Sequence, residues 1–163
     1  MTVELSNTWC PWMPLHAPIA GFLTHVCSMD WVVRHDGGQP IVLPEDGVAI
    51  MEKLEAAQVP LFGLTNWSAE TFPYAWENYP VLRRFRDIVV SGRVGLVKPD
   101  PAIFAAMRER IDAHLPGTQP SELVFIDDNP KNAAAATALG WHGVHHTSAA
   151  QTEAQLRALG LPV

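Results

Sequence analysis

The chain is short of cysteine, of charge and of long apolar runs, and each shortage removes a class of function. Its 163 residues include only two cysteines, Cys10 and Cys27. Neither belongs to a CxxC pair, which argues against a disulfide framework or a thiolate zinc site and makes a reduced, cytoplasmic setting the expectation. Charged residues make up 17% of the chain, and its 11 Lys+Arg, set against 17 Asp+Glu, form no basic block. Nucleic acid is therefore not an expected partner, because phosphate binding needs clustered cations. No apolar run reaches the ~18–20 residues of a membrane span, so no membrane is expected as a partner. The N-terminus also lacks the Lys or Arg that would open a signal peptide. What remains is a hydrophobic fraction of 48%, enough for a packed core, at a length that suits one domain.

Two regions read differently. Pro11, Pro14, Pro18 and Pro40 break up the first forty residues, and the only regular piece expected there lies within 20–33. From 44 onward the pattern is orderly. Val48, Met51 and Leu54 share one face of a predicted helix that Pro60 ends. Leu61-Phe62-Gly63-Leu64-Thr65, Ile88-Val89-Val90-Ser91 and Leu123-Val124-Phe125-Ile126-Asp127 read as strands, with a last short one centred on Val144. Helices are expected between them. One is capped by Ser68 and runs to about Asn78; one opens at Asp100-Pro101, one at Asn129-Pro130, and a final one covers about 150–159. Ile103, Phe104, Met107, Ile111 and Leu115 share a face of the second, and Gly140 ends the third. Strands alternating with helices predict parallel pairing through right-handed crossovers, hence a Rossmann-like three-layer α/β sandwich. In such sheets ligands sit at the carboxyl ends of the strands. Thr65-Asn66 and Asp127-Asp128 both fall on that rim.

These rim residues are the candidates for chemistry. Adjacent carboxylates at the end of an apolar strand need a cation or hydrogen bonds to offset their repulsion, and Mg²⁺ prefers such oxygen ligands; helix capping is the competing reading. Asn132, four residues past Asp128, lies one helical turn on. Lys98 sits in Gly95-Leu96-Val97-Lys98-Pro99-Asp100-Pro101, just before a helix start, with two prolines fixing the backbone around it. An ammonium so held suits a group developing negative charge; a solvated loop lysine is the alternative. Thr65-Asn66 offers a hydroxyl, an amide and backbone N–H groups for an oxyanion, or simply a turn. His142, His145 and His146 near the last strand are expected to be bland rather than metal ligands.

In this order the segments Leu64-Thr65-Asn66-Trp67-Ser68-Ala69-Glu70-Thr71-Phe72, Val90-Ser91-Gly92 with Gly95 to Pro101, and Phe125-Ile126-Asp127-Asp128-Asn129-Pro130-Lys131-Asn132 resemble the second, third and fourth motifs of the haloacid dehalogenase (HAD) superfamily. The branch is similar to its phosphatase- and dehalogenase-like members with a small helical cap, and the likeness covers 48–163. It implies that Thr65 binds a phosphoryl oxygen, with Asn66 beside it, and that Lys98 neutralises nucleophile and transferring group. It makes Asp128 a direct Mg²⁺ ligand, with Asp127 next to it at the metal and Asn132 behind them. The substrate implied is a small phosphorylated or halogenated acid, and the adjacent aspartates favour a Mg²⁺-dependent phosphatase.

The family's first motif, a strand ending in Asp-x-Asp whose first Asp attacks the substrate, has no counterpart. No Asp precedes Asp30, and the stretch around Asp30, over 22–40, resembles a cap. The expected domains are thus an irregular segment with a cap remnant at 1–43 and a HAD-like core at 44–163. The sheet is expected to lack the strand between those ending at Thr65 and Asp127, with Thr2-Val3-Glu4-Leu5-Ser6 a poor substitute and a homo-oligomer through unpaired edges the result. The expectation for activity is a HAD-type hydrolase with no turnover of its own. The alternative is a non-catalytic domain, or a truncated or frameshifted product, that binds an anion or a partner.

Overall fold

The computed structural model describes residues 24–28 and 45–163. Five strands, β1 (Thr24–Ser28), β2 (Leu61–Thr65), β3 (Asp87–Val90), β4 (Leu123–Asp127) and β5 (His142–His145), form one parallel sheet in the order β3-β2-β1-β4-β5. Among the described residues five helices lie between the strands, α1 (Glu45–Ala56), α2 (Phe72–Asn78), α3 (Ser91–Val94), α4 (Pro101–His114) and α5 (Pro130–Ala138), and α6 (Ala149–Ala158) follows β5, with 3₁₀ turns at Pro80–Arg84 and Pro120–Glu122.

One expectation is corrected here. The sheet does not lack its middle strand: β1 pairs with β2 on one side, Ser28 opposite Leu64, and with β4 on the other, Cys27 opposite Ile126. The stretch taken for a cap remnant thus contains the central strand. Five residues among scattered prolines and tryptophans are too few to show a strand period. The alternative strand at 2–6 lies outside the described residues, as do Asp30 and Asp36.

The strands of β2 and β4 are buried along their whole length, as a parallel sheet covered on both faces requires. Their alternation divides the core. Leu61, Val124 and Ile126 pack with Ile50, Met51 and Leu54 of α1 and Leu156 of α6. Phe62, Leu64, Leu123 and Phe125 pack with Ile103, Phe104, Met107 and Ile111 of α4 and Ala136 of α5. The expected caps form at two helix starts: Asp100 accepts from Ala102 N at 2.9 Å and Asn129 from Lys131 N at 3.0 Å. Ser68 does not cap α2. Its Oγ accepts from Glu70 N at 3.1 Å in a turn, and the helix begins only at Phe72. Lys53 of α1, and then Arg157, hold the Glu153 carboxyl of α6 below its ordinary range.

Gly143 lets α5 lie directly on β5, since a Cβ there would stand 2.0 Å from Ala133 O and 2.4 Å from Thr137 Oγ1. Overpacking of this kind costs about 1–3 kcal/mol. Gly143→Ala should therefore lower the thermal midpoint by roughly 2–4 °C per kcal/mol at this chain length, read by circular dichroism. An unchanged midpoint would show that the helix slides away freely.

Candidate functional site

The carboxyl ends of β2 and β4 carry the rim residues, and one ammonium ties them together. Lys98 Nζ donates to Leu64 O at 3.1 Å and to Asp127 Oδ2 at 3.0 Å. It thereby spans two strands that flank β1, so the cation bridges across the line of the central strand. Both side chains of the ion pair are fully buried. Phe125 adds a ring face 5.8 Å from Nζ.

Asp127 owes its position to β4, which continues the parity of Leu123 and Phe125 and so turns the carboxylate toward α4 and α5. There its oxygens are saturated with donors. Oδ1 accepts from Asn129 N at 2.7 Å, and Asn132 Nδ2 lies 3.1 Å from each oxygen. The Asn129-Pro130 helix start thus has a purpose beyond capping, because it brings Asn132 back over the strand end.

Lys98 is positioned by a reciprocal pair of bonds. Its own amide donates to Asn66 Oδ1 at 2.8 Å, and Asn66 Nδ2 donates to its carbonyl at 3.1 Å. The Lys98-Pro99 peptide bond is cis. Thr65 is fully buried at the end of β2. It has the parity of Leu61, opposite to that of Leu64, so the hydroxyl starts from the other face of the sheet. Asp128 is half-buried, and its carbonyl accepts from His145 Nε2 at 3.1 Å.

The structure therefore joins Lys98, Asp127 and Asn132 directly and attaches Asn66 through the Lys98 backbone. Sequence reasoning missed that Asn66 holds Lys98 rather than standing alone. It also missed that His145 steadies Asp128; a polar residue one strand over from a candidate site was the available signal. The other two histidines are engaged elsewhere, His142 with Ser121 O at 2.9 Å and His146 with Thr152 Oγ1 at 2.8 Å.

As a cation site the rim is partly suited. Among the described residues no three His, Cys, Asp or Glu side chains cluster as a metal cage. Asn132 Oδ1, however, is buried without a hydrogen-bond partner, an acceptor fit for a hydrated cation. Among the described residues no helix is long and apolar enough to cross a membrane.

Residues 30–145 match the haloacid dehalogenase-like hydrolase family. The chain belongs to that family. Among HAD relatives, the sesquiterpene phosphatase astK of Aspergillus oryzae is 30% identical over 111 residues, which is 68% of this chain and 54% of the phosphatase. The chain thus spans about half the length of that relative. A Corynebacterium glutamicum structure superposes with a TM-score of 0.64 at 21% identity, covering 86% of this chain and 97% of its own. A HAD family enzyme from Bacteroides thetaiotaomicron, an aspartate-to-alanine mutant in complex with magnesium and inorganic phosphate, gives a TM-score of 0.51 at 28% identity over 62% of this chain and 52% of its own. The α/β Rossmann-like architecture is that of the HAD fold.

Proposed function

We propose that this HAD-type domain is phosphatase-like in its binding chemistry, holding a phosphoryl group and Mg²⁺ at the rim, and that it turns substrate over no faster than background. The observation that carries this reading is the buried Lys98–Asp127 pair at 3.0 Å, which fixes an ammonium across the end of the central strand. The likeness to a sesquiterpene phosphatase favours phosphoester over halide chemistry.

Each residue then has a task. Lys98 supplies fixed positive charge for phosphoryl oxygens in a site of low dielectric. Thr65 and Asn66 are the candidate phosphoryl donors. Asp128 takes the role of direct ligand to a water-rich Mg²⁺ that the family likeness gives it, while Asp127, bonded to Lys98, Asn129 and Asn132, orients the site. When bound, the metal would neutralise phosphoryl charge. A covalent step needs a carboxylate within attack distance, and among the described residues none at the rim is assigned that role. That a HAD enzyme lacking an aspartate still holds magnesium and phosphate supports binding without turnover.

Incubation with p-nitrophenyl phosphate and Mg²⁺ should release no p-nitrophenol above a protein-free control, while inorganic phosphate plus Mg²⁺ raises the thermal midpoint. Release that disappears in Asp128→Ala would overturn the first part, and Asp30→Asn and Asp36→Asn would then find the nucleophile. A midpoint indifferent to phosphate would favour the second reading, a partner-binding domain without a ligand at the rim.

A further inference from the structure

Away from the rim, a groove of about 260 Å³ runs beside the edge strand β3, lined by Phe72, Trp76, Phe85, Arg86, Asp87, Ile88 and Arg93. The bonding pattern of its charges is unusual. Among the described residues neither Arg86 nor Arg93 has an ion-pair partner, although both are exposed on the same concavity. The single carboxylate there, Asp87, is drawn to the α4 side, its Oδ2 lying 3.6 Å from both Arg110 and His114. Its Oδ1 accepts from Ile88 N at 2.8 Å. The groove therefore keeps two guanidinium groups uncompensated.

Its apolar wall is aromatic. Phe72 and Phe85 are buried, and Trp76 leaves 40% of its surface open. Phe72 and Trp76 lie tilted at 6.4 Å between ring centroids, and the Arg93 guanidinium covers the Phe72 ring at 4.8 Å. An arginine held over a ring keeps its planar N–H fork available for a carboxylate. The volume is just below the roughly 300–1,000 Å³ of drug-sized sites, the scale of a one- or two-ring molecule. Nothing in the HAD reading of Thr65, Lys98 and Asp128 uses these side chains.

We infer that this groove is a second binding site, separate from the rim, for a small aromatic carboxylate whose ring packs on Trp76 and whose anion is taken by Arg86 and Arg93. Ring stacking supplies apolar contact, and the two cations supply the preference for charge.

Isothermal titration of the full chain with naphthalene-2-carboxylate tests this, with naphthalene-2-methanol as the neutral counterpart. The carboxylate should bind one per chain, and the alcohol should bind about tenfold or more weaker, the scale of a lost charge-assisted bond. The double variant Arg86→Gln/Arg93→Gln should lose a similar factor, and Trp76→Ala should weaken both molecules. Because these three side chains are exposed, the variants should keep the wild-type circular dichroism spectrum. Asp128→Ala should leave carboxylate binding unchanged. The inference fails if carboxylate and alcohol bind alike, if the arginine variant binds as wild type does, or if no heat of binding is found. It fails equally if binding is lost in Asp128→Ala, which would place the ligand at the rim.

Discussion

Lys98→Met is expected to lower stability by about 3–5 kcal/mol, the cost of leaving a buried charge without its partner. The ammonium and the Asp127 carboxylate are both wholly out of solvent, so no water replaces the lost bond at 3.0 Å. Asn129 N and Asn132 Nδ2 would still donate to Asp127, which keeps the loss below that of a naked carboxylate. The pair itself is a weak source of net stability, since each ion also gave up its hydration. The double variant Lys98→Met/Asp127→Leu should therefore recover much of what Lys98→Met loses. Urea unfolding of the wild type, both single variants and the double variant closes the cycle. If Lys98→Met unfolds at the wild-type midpoint, the ammonium is not buried against Asp127 and the site as described is wrong.

The second large effect belongs to Phe125. Its ring is fully buried in β4 and meets Phe104 of α4 edge-on, 5.2 Å between centroids, with Trp141 at 6.4 Å. Phe104 and Trp141 also meet edge-on at 5.7 Å, so three rings close a cluster on the α4–α5 side of the sheet. Phe125→Ala should cost about 3–5 kcal/mol through lost burial and the cavity left behind, while Phe125→Leu should restore a good part of that. The same ring underlies Lys98 Nζ, so Phe125→Ala should also weaken phosphate binding in a titration. Equal urea midpoints for wild type and Phe125→Ala would mean that the cluster relaxes without a void.

Much of this was written in local patterns. The apolar runs of β2 and β4 were legible because a buried parallel strand has no polar face, and Asp100-Pro101 and Asn129-Pro130 marked two helix starts because each pairs an amide acceptor with a fixed φ. Asp127 stood out by its place at a strand end and Lys98 by its place beside two prolines just before a helix start; in the structure the two form an ion pair. What failed was non-local. The place of β1 depends on pairing with strands far along the chain, and a five-residue segment states no such preference. Likewise Asn66 is separated from Lys98 by 32 positions, and no periodicity links an amide in one loop to a peptide in another. The start of α2 was misjudged because Ser68 and Thr71 both suit a turn, and packing of Phe72 into the core decides between them.

The twofold bond between Asn66 and Lys98 also sets a rule for altering the chain. It works as a clasp that shuts a long excursion, containing α2, β3 and α3, into a closed lobe. Lengthening or nicking that lobe in its outer turns would leave the clasped ends where they are. Shifting the spacing by one residue beside either end would unfasten both at once.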